Sequence, residues 1–532
     1  MSTPLPPTIP LHERPEIHDR RWFLLGVMCL SLVMVVMAVS GLNVAIPSLQ
    51  RSLDATATDL QWIVDAYAIV FAGLLLTAGA IGDRFGRKRA LLGGLAVFGA
   101  GASIGAFADS PPQVIAARIV MGVGAAFVMP STLSLLTAVF PPHERSKAIA
   151  VWAGFAGAGG ALGPLVVGFL LTGWWVFPEF WWGSAFLVNV VAVAVVIVAV
   201  AIWAPESRDE ASTPLDPVGA VFSMIGLAAV LYGIIEGPTK GWTSGPVLAA
   251  FAVGLVTLVA FVLWERRAEH PMLPMEFFRK RPFSIGAGVI TFAFFVMFGF
   301  FFLLTQYLQL VRGYSPLDAG VATLPLPFTL ILVSPRSAAL AERLGTTTVI
   351  AFGFTFIVMG LIVMSLLEPS TPYIVIALGL VLLAMGMGIT VAPATGSIMQ
   401  SVPLNKAGVG SAVNDTTREV GGALGIAVLG SIATSVYRSN VDVGTLPAEP
   451  AAIASESIGG AVTIAREVGG EAGAALVSSA GEAFTDAFTT TMAAGALVAL
   501  LSGISVALVG RRERRERAAA REPLEAGEVP AS

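Results

Sequence analysis

The chain carries little charge. Asp, Glu, Lys and Arg make up 12% of its 532 residues, while 55% are hydrophobic. Soluble domains run at about 25% charged residues, so a water-soluble globular fold is excluded. A single cysteine, Cys29, excludes an intramolecular disulfide. The four histidines, His12, His18, His143 and His270, all lie outside the apolar runs. That argues against haem or zinc held within a membrane, and no metal site is expected. No Gly-x-x-x-x-Gly-Lys-Ser/Thr loop occurs, so no nucleotide site of that kind drives the protein.

What the chain has is long apolar runs. Fourteen begin near Trp22, Leu60, Ala90, Pro112, Ala148, Gly183, Leu215, Ser244, Pro282, Pro316, Thr346, Tyr373, Ala407 and Phe484. A bilayer core takes about 20 apolar residues per helix. The runs are continuously apolar and do not alternate, which predicts helices and not a barrel. The first run ends at Asn43 to Pro47 without a small-residue cleavage pattern, so it reads as an uncleaved helix.

Lys and Arg near helix ends set orientation. With the amino terminus inside, the inner side collects Arg20, Arg21, Arg84, Arg87, Lys88, Arg89, Arg145, Lys147, Arg266, Arg267, Arg279, Lys280 and Arg281. The outer side holds Arg51, Lys240, Arg312, Arg438 and Arg466. Both termini are therefore expected in the cytoplasm and the chain in the cell membrane. The runs divide into a tail (1–21), a six-helix bundle (22–204), two linker helices with their connections (205–281), a second six-helix bundle (282–510) and a tail (511–532). An outer loop at 438–483 has apolar residues at rough helical spacing and is expected to form short surface helices. The last tail mixes Arg and Glu and is expected to stay unpacked.

The loop Gly82-Asp83-Arg84-Phe85-Gly86-Arg87-Lys88-Arg89 sits between two consecutive runs. Its glycines permit a tight turn. Asp83 is placed to cap a helix start or to pair with an arginine of a neighbouring helix. The blander reading is a basic loop that only fixes topology. The fifth run holds Gly154, Gly157, Gly159, Gly160, Gly163-Pro164 and Gly168. So many glycines weaken a helix and call for close packing or for motion. Arg118, about two turns into the fourth run, is expensive there unless paired or hydrated.

These residues carry a resemblance. Gly79, Asp83, Arg84, Gly86, Arg87 and Lys88 match, without a gap, the Gly-x-x-x-Asp-Arg-x-Gly-Arg-Lys loop of the major facilitator superfamily. Gly163-Pro164 resembles the "antiporter" motif of its proton-coupled exporters. Arg118 with Gly122, Gly124, Ala125 and Ala126 is similar to a family pattern linked to proton coupling, although Met121 stands at its glutamine. Leu42-Asn43-Val44-Ala45-Ile46-Pro47 resembles the first-helix motif of the fourteen-helix drug:proton antiporters, but Ala38 takes the aspartate's place. Trp62 to Tyr67, Trp182 to Asn189 and Pro271 to Leu273 look like the quaternary-ammonium (antiseptic) exporters. The resemblance implies an all-α integral membrane protein with two six-helix bundles and two extra central helices, fourteen transmembrane helices in all. It also implies gating residues Gly79, Asp83, Arg84, Gly86, Arg87, Gly160, Gly163, Pro164 and Gly168.

With Ala38 apolar, other carboxylates must serve. Rise per residue puts Ala38, Asp65 and Arg118 at similar depth, so Asp65 is expected to pair with Arg118 and partly replace the missing acid. Asp65 could instead be an interface residue reaching outer water. Asp415 and Glu419 lie four apart, on one helix face. Arg418 can neutralise Asp415 within that helix, and Glu419 is then the better proton or cation site; a self-satisfied structural cluster is the alternative. Asn43 and Gln306 complete the candidates, with Gln309 beside the latter. The phenylalanines of the ninth run, Phe292 to Phe302, occupy all faces and are expected mostly to meet lipid or other helices.

The leading expectation is a secondary exporter of small amphipathic or cationic drugs, driven by proton entry and needing no cofactor beyond the proton motive force. That force supplies about 1.4 kcal/mol per pH unit and roughly 2.3 kcal/mol per charge per 100 mV. Protons, a lipophilic cation or amphipathic drug and the bilayer are the expected partners; no nucleic acid is expected, and the chain is expected to be a monomer. A narrow exporter of a metabolite, lipid or antibiotic is the alternative. A membrane enzyme or a non-transporting sensor fits the sequence less well.

Overall fold

A computed structural model describes residues 11–53, 55, 57–172, 181–208, 215–444 and 446–525. Among them there is no strand. The fourteen long helices are numbered here in chain order: α1 (Pro15–Ser40), α2 (Ala57–Phe85), α3 (Arg87–Ala106), α4 (Pro111–Val139), α5 (Pro142–Thr172), α6 (Ser184–Trp203), α7 (Pro217–Lys240), α8 (Gly245–Glu265), α9 (Arg281–Gln306), α10 (Pro325–Leu344), α11 (Thr346–Met364), α12 (Tyr373–Ser401), α13 (Ala407–Asn440) and α14 (Gly470–Glu525). Thirteen of these spans are long and apolar enough to cross a membrane, and α5, with 31 residues, fills the remaining place. Their even number puts the start of α1 and the end of α14 on one side, called here the terminal face.

Helices α1 to α6 pack on one another, as do α9 to α14. The two bundles meet where α5 lies on α10 and α12, and where α13 lies on α2 and α4. The extra hairpin, α7 with α8, leans on α2 and α13 and does not divide the bundles. Its lipid-facing side is bare: Leu255 and Val256 are 65% and 67% exposed. Such a surface would be untenable in water and is ordinary in a bilayer.

Two boundaries differ from expectation. The outer loop does form short helices, Ala448–Glu456 and Ile458–Val468, but α14 already starts at Gly470, well before the apolar run near Phe484. The second short helix buries Ile458, Ala461, Ile464 and Ala465, so it is packed and not merely superficial. Tyr437 at the end of α13 donates a hydrogen bond to the Ala454 carbonyl, 3.0 Å away. The tail expected to lack packed structure instead continues α14 as far as Glu525. Its Ala, Arg and Glu are strong helix formers with i,i+4 charge pairs, so it needs no apolar partner to extend a helix already started.

Candidate functional site

At the terminal face the Gly82–Arg89 loop is nearly all helix. Gly82 is the last turn of α2, and only Gly86 turns the chain, with φ of +118°. That conformation suits glycine. Asp83 is 4% exposed and reaches across to the second bundle. Its carboxylate accepts from the backbone N–H of Gly408 (2.8 Å) and of Val409 (3.2 Å). These are among the first N–H groups of α13, which lack partners within the helix and carry its positive dipole end. Arg87 donates to the same carboxylate at 2.9 and 2.8 Å, to the Ser207 hydroxyl at 3.0 Å and to the Leu404 carbonyl at 2.5 Å. Asp83 thus caps a helix and pairs with an arginine at once. The connection between the bundles is drawn in as well, since Arg87 N–H donates to Ser207 O at 2.8 Å, while Lys88 donates to Ala201 O of α6 at 2.8 Å. Arg84 stays at the end of α2, 5.4 Å over the Phe85 ring.

Contact at this latch is as tight as two helices allow. A Cβ added to Gly79 would lie 2.5 Å from the Gly408 carbonyl oxygen, and one added to Gly408 would lie 2.5 Å from the Gly79 oxygen. Along α5 the glycines are unequal. A Cβ on Gly163 would press on the α1 backbone, 2.6 Å from Gly41 N and 2.8 Å from Met37 O. Gly160 has nothing within 4 Å of that position, and Gly168 has only Leu317 and Val44 at 3.8 to 3.9 Å.

Mid-membrane, the charged residues gather in two groups. In the first, Arg118 of α4 is fully buried. It donates to the Ile63 carbonyl of α2 at 2.9 Å and to the Ala38 carbonyl of α1 at 3.3 Å. Its guanidinium lies 4.2 Å above the Tyr67 ring. Two carbonyls and an aromatic face take the arginine. Ala38 still enters the site, but through its backbone oxygen. Asp65 is half-buried on α2.

The second group lies on α13. Asp415 is fully buried and accepts from its neighbour Asn414 at 3.2 Å; Asn414 in turn accepts from Thr395 of α12 at 2.9 Å. Arg418, 4% exposed, does not neutralise Asp415 by an ion pair. It sits 4.8 Å from the Phe294 ring centre on α9 and 5.7 Å from that of Trp152 on α5. Glu419 is half-buried, in charge–charge range of Tyr67 and thus of the first group. Counting rise per residue, Asp415 to Glu419 lie about 12–18 Å in from the start of α13, and Trp152 about 15 Å in along α5. Arg118 NH2, Tyr67 OH, Asp415 Oδ2, Thr416 Oγ1 and Arg418 Nε are buried here without a hydrogen-bond partner among the described residues. Buried polar atoms are normally satisfied, so their concentration between the bundles marks a place for exchangeable polar guests.

Gln306 is not part of it. Its amide donates to the Phe302 carbonyl of its own helix at 3.2 Å, and Phe302 is 45% exposed on the lipid side. The Asn43 side chain lies outside the described residues. Trp152 and Phe294 are the residues that pattern reasoning passed over. Phe294 was one aromatic among many, and Trp152 an ordinary apolar residue; a signal lies only in their shared depth.

A model of the Major Facilitator Superfamily matches residues 28–426. The multidrug efflux pump LfrA of Mycolicibacterium smegmatis is 36% identical over 495 residues, covering 93% of this chain and 97% of that protein. The methyl viologen resistance protein SmvA of Salmonella typhimurium is 32% identical over 488 residues, covering 91% and 97%. The tetracenomycin C resistance and export protein of Streptomyces glaucescens is 30% identical over 519 residues, covering 96% and 95%. Among solved structures, the human organic anion transporter MFSD10 (TETRAN) is similar with a TM-score of 0.58 at 14% identity, over 92% of this chain and 100% of that one, a likeness of fold alone. Two helical bundles latched at one face, with unsatisfied charges between them, fit a multi-pass membrane transporter and not an enzyme: the chain belongs to the major facilitator superfamily.

Proposed function

We propose that the protein is a proton-coupled exporter of small amphipathic or cationic drugs, working by alternating access as a monomer in the cell membrane with both termini cytoplasmic. The observation that carries this reading is Glu419: a half-buried acid at mid-membrane, between the bundles and beside a buried arginine. Transporters of this general kind hold their site at the midplane and rock one bundle about it. A carboxylate there holds a cation while ionised and releases it once protonated. Asp83 and Arg87, joined to the start of α13, close the cytoplasmic side. Breaking that latch lets the loaded acid face the other way. Basic residues crowd the terminal face, which supports the orientation. Relatives named for multidrug efflux and for tetracenomycin C resistance and export support export.

The experiment is substrate-induced proton release in proteoliposomes, scanning monovalent and divalent lipophilic cations. Proton release in step with cation addition is expected from the full chain. Absence of any cation-linked proton flux overturns the reading. Asp65, Asp415 and Glu419 are then changed singly to their amides. If all three variants still accumulate substrate against a gradient, none of these acids carries the coupling proton.

A further inference from the structure

An arginine three residues from an acid on one helix face would ordinarily pair with it. Arg418 does not. Its guanidinium takes the faces of Phe294 and Trp152, and among the described residues its Nε donates to nothing, while Asp415 keeps an oxygen without a hydrogen-bond partner there. Forgoing the ion pair is costly for a buried charge. Aromatic faces return about 2 kcal/mol or more when desolvated. The two rings come from different bundles, Trp152 from α5 and Phe294 from α9. Phe298 braces Phe294 edge-on, with ring centres 5.7 Å apart. Trp152 is held by its indole N–H, which donates to Thr132 at 3.3 Å. This is a fixed cradle for a flat cation, set between two acids, and it is filled by the chain's own cation.

We infer that Arg418 is a tethered stand-in for the substrate cation: it occupies the Trp152–Phe294 cradle when no substrate is bound and gives it up to an incoming cation, and its permanent charge makes the site select monovalent over divalent cations. This rests on the proposed function above and deepens it by naming the substrate charge class. The acids within charge range of Arg418 are Asp415 and Glu419, on its own helix. With both ionised and the guanidinium charged, the site carries one net negative charge. A monocation balances it; a dication leaves it positive. Without the Arg418 charge, two negative charges remain and a dication becomes the better match. Because the rings belong to opposite bundles, rocking of one bundle opens the cradle, while Phe294 and Arg418 stay together in the second bundle.

The test is equilibrium binding to the purified full-length protein, without a proton gradient, of tetraphenylphosphonium and of a bis-quaternary aromatic cation of similar size. The wild type is expected to bind the monocation more tightly. In Arg418→Gln the ratio of divalent to monovalent affinity is expected to rise about a hundredfold, the effect of one charge about 6 Å away at an effective dielectric of about 20. Arg418→Lys keeps the charge and loses the planar fork; it is expected to keep the wild-type ranking. An unchanged ratio in Arg418→Gln overturns the inference. So does a reversed ranking in Arg418→Lys, a wild type that prefers the dication, or binding of neither cation. Thermal unfolding checks that Arg418→Gln is folded; if it is not, the wild-type and Arg418→Lys rankings decide. Failure of proton release in liposomes with this binding pattern intact would overturn the coupling and leave the inference standing.

Discussion

The two bundles meet twice over an acid and an arginine one helical turn apart, and the meetings are built in opposite ways. At the terminal face Asp83 and Arg87 are bonded to each other at 2.8 Å, and the remaining valences go to α13 and to the inter-bundle connection. At mid-membrane Asp415 and Arg418 are equally buried and form no pair; the acid bonds an amide and the arginine lies on two rings. A buried pair with every bond made holds one state. A buried pair left unmade, with orphaned atoms on both partners, keeps charges available to a guest. The contrast is what the proposed latch and the proposed binding site would each require.

The sharpest way to break the comparison is Asp83→Asn. The amide would turn donors toward the Gly408 and Val409 N–H groups and leave Arg87 buried without its carboxylate. Removing one member of a buried pair costs about 3–5 kcal/mol. Uphill transport is expected to fall at least about a hundredfold. A cysteine introduced at Ser411, a fully buried position on α13, should then react faster with a membrane-impermeant alkylating reagent from the terminal face. Unchanged labelling would mean that Asp83 does not hold the bundles together.

Gly79→Ala tests the same latch without touching charge. Its Cβ would meet the backbone of Gly408, which cannot yield as a side chain does. Overpacking of 1–3 kcal/mol is expected to lower transport about tenfold, while substrate binding at mid-membrane stays within a factor of two. A loss of binding equal to the loss of transport would show that latch and site are not separate regions.

On the other side of the comparison stand the two acids. Glu419→Gln is expected to abolish substrate-linked proton release and to lower uphill accumulation about tenfold. Asp415→Asn, whose acid is sealed from access and already accepts from Asn414, should cost about threefold. A reverse ranking would make Asp415 the coupling site and Glu419 a positioning residue.

Sequence pattern reached the latch and the fold further than it reached the site, for a physical reason. Apolar runs of membrane length and basic loops are one-dimensional signals, and the Gly79–Lys88 motif is contiguous, so fourteen helices and the residues of the terminal-face contact could be read in order. Arg418 could not. Its nearest acid is on its own helix, and spacing alone favours a pair; the rings that take it come from α5 and α9, whose relative depth only the folded bundles reveal. The carbonyls that take Arg118, of Ile63 and Ala38, leave no mark in a sequence either. The end of α14 leaves no mark in hydropathy, because helix propensity carries it past the apolar residues.

The smallest expected effects come from α5, where the glycines differ in what surrounds them. Gly163→Ala would press on the α1 backbone at Gly41 and Met37, but within one bundle, where α1 already breaks at Gly41. Transport is expected to fall about threefold, with a measurable drop in thermal stability. Gly160 faces open space, and its carbonyl would in an unbroken helix bond the N–H four residues on, which is Pro164 and has none. This turn is therefore weak by construction. Gly160→Ala adds helix propensity of up to about 1 kcal/mol and meets no neighbour. Thermal stability should rise slightly, and transport should change less than twofold if the weak turn only relieves packing. A severalfold loss of transport in a variant that unfolds at higher temperature would instead mean that α5 must bend at Gly160 in each cycle, and that the moving parts include this helix as well as the latch.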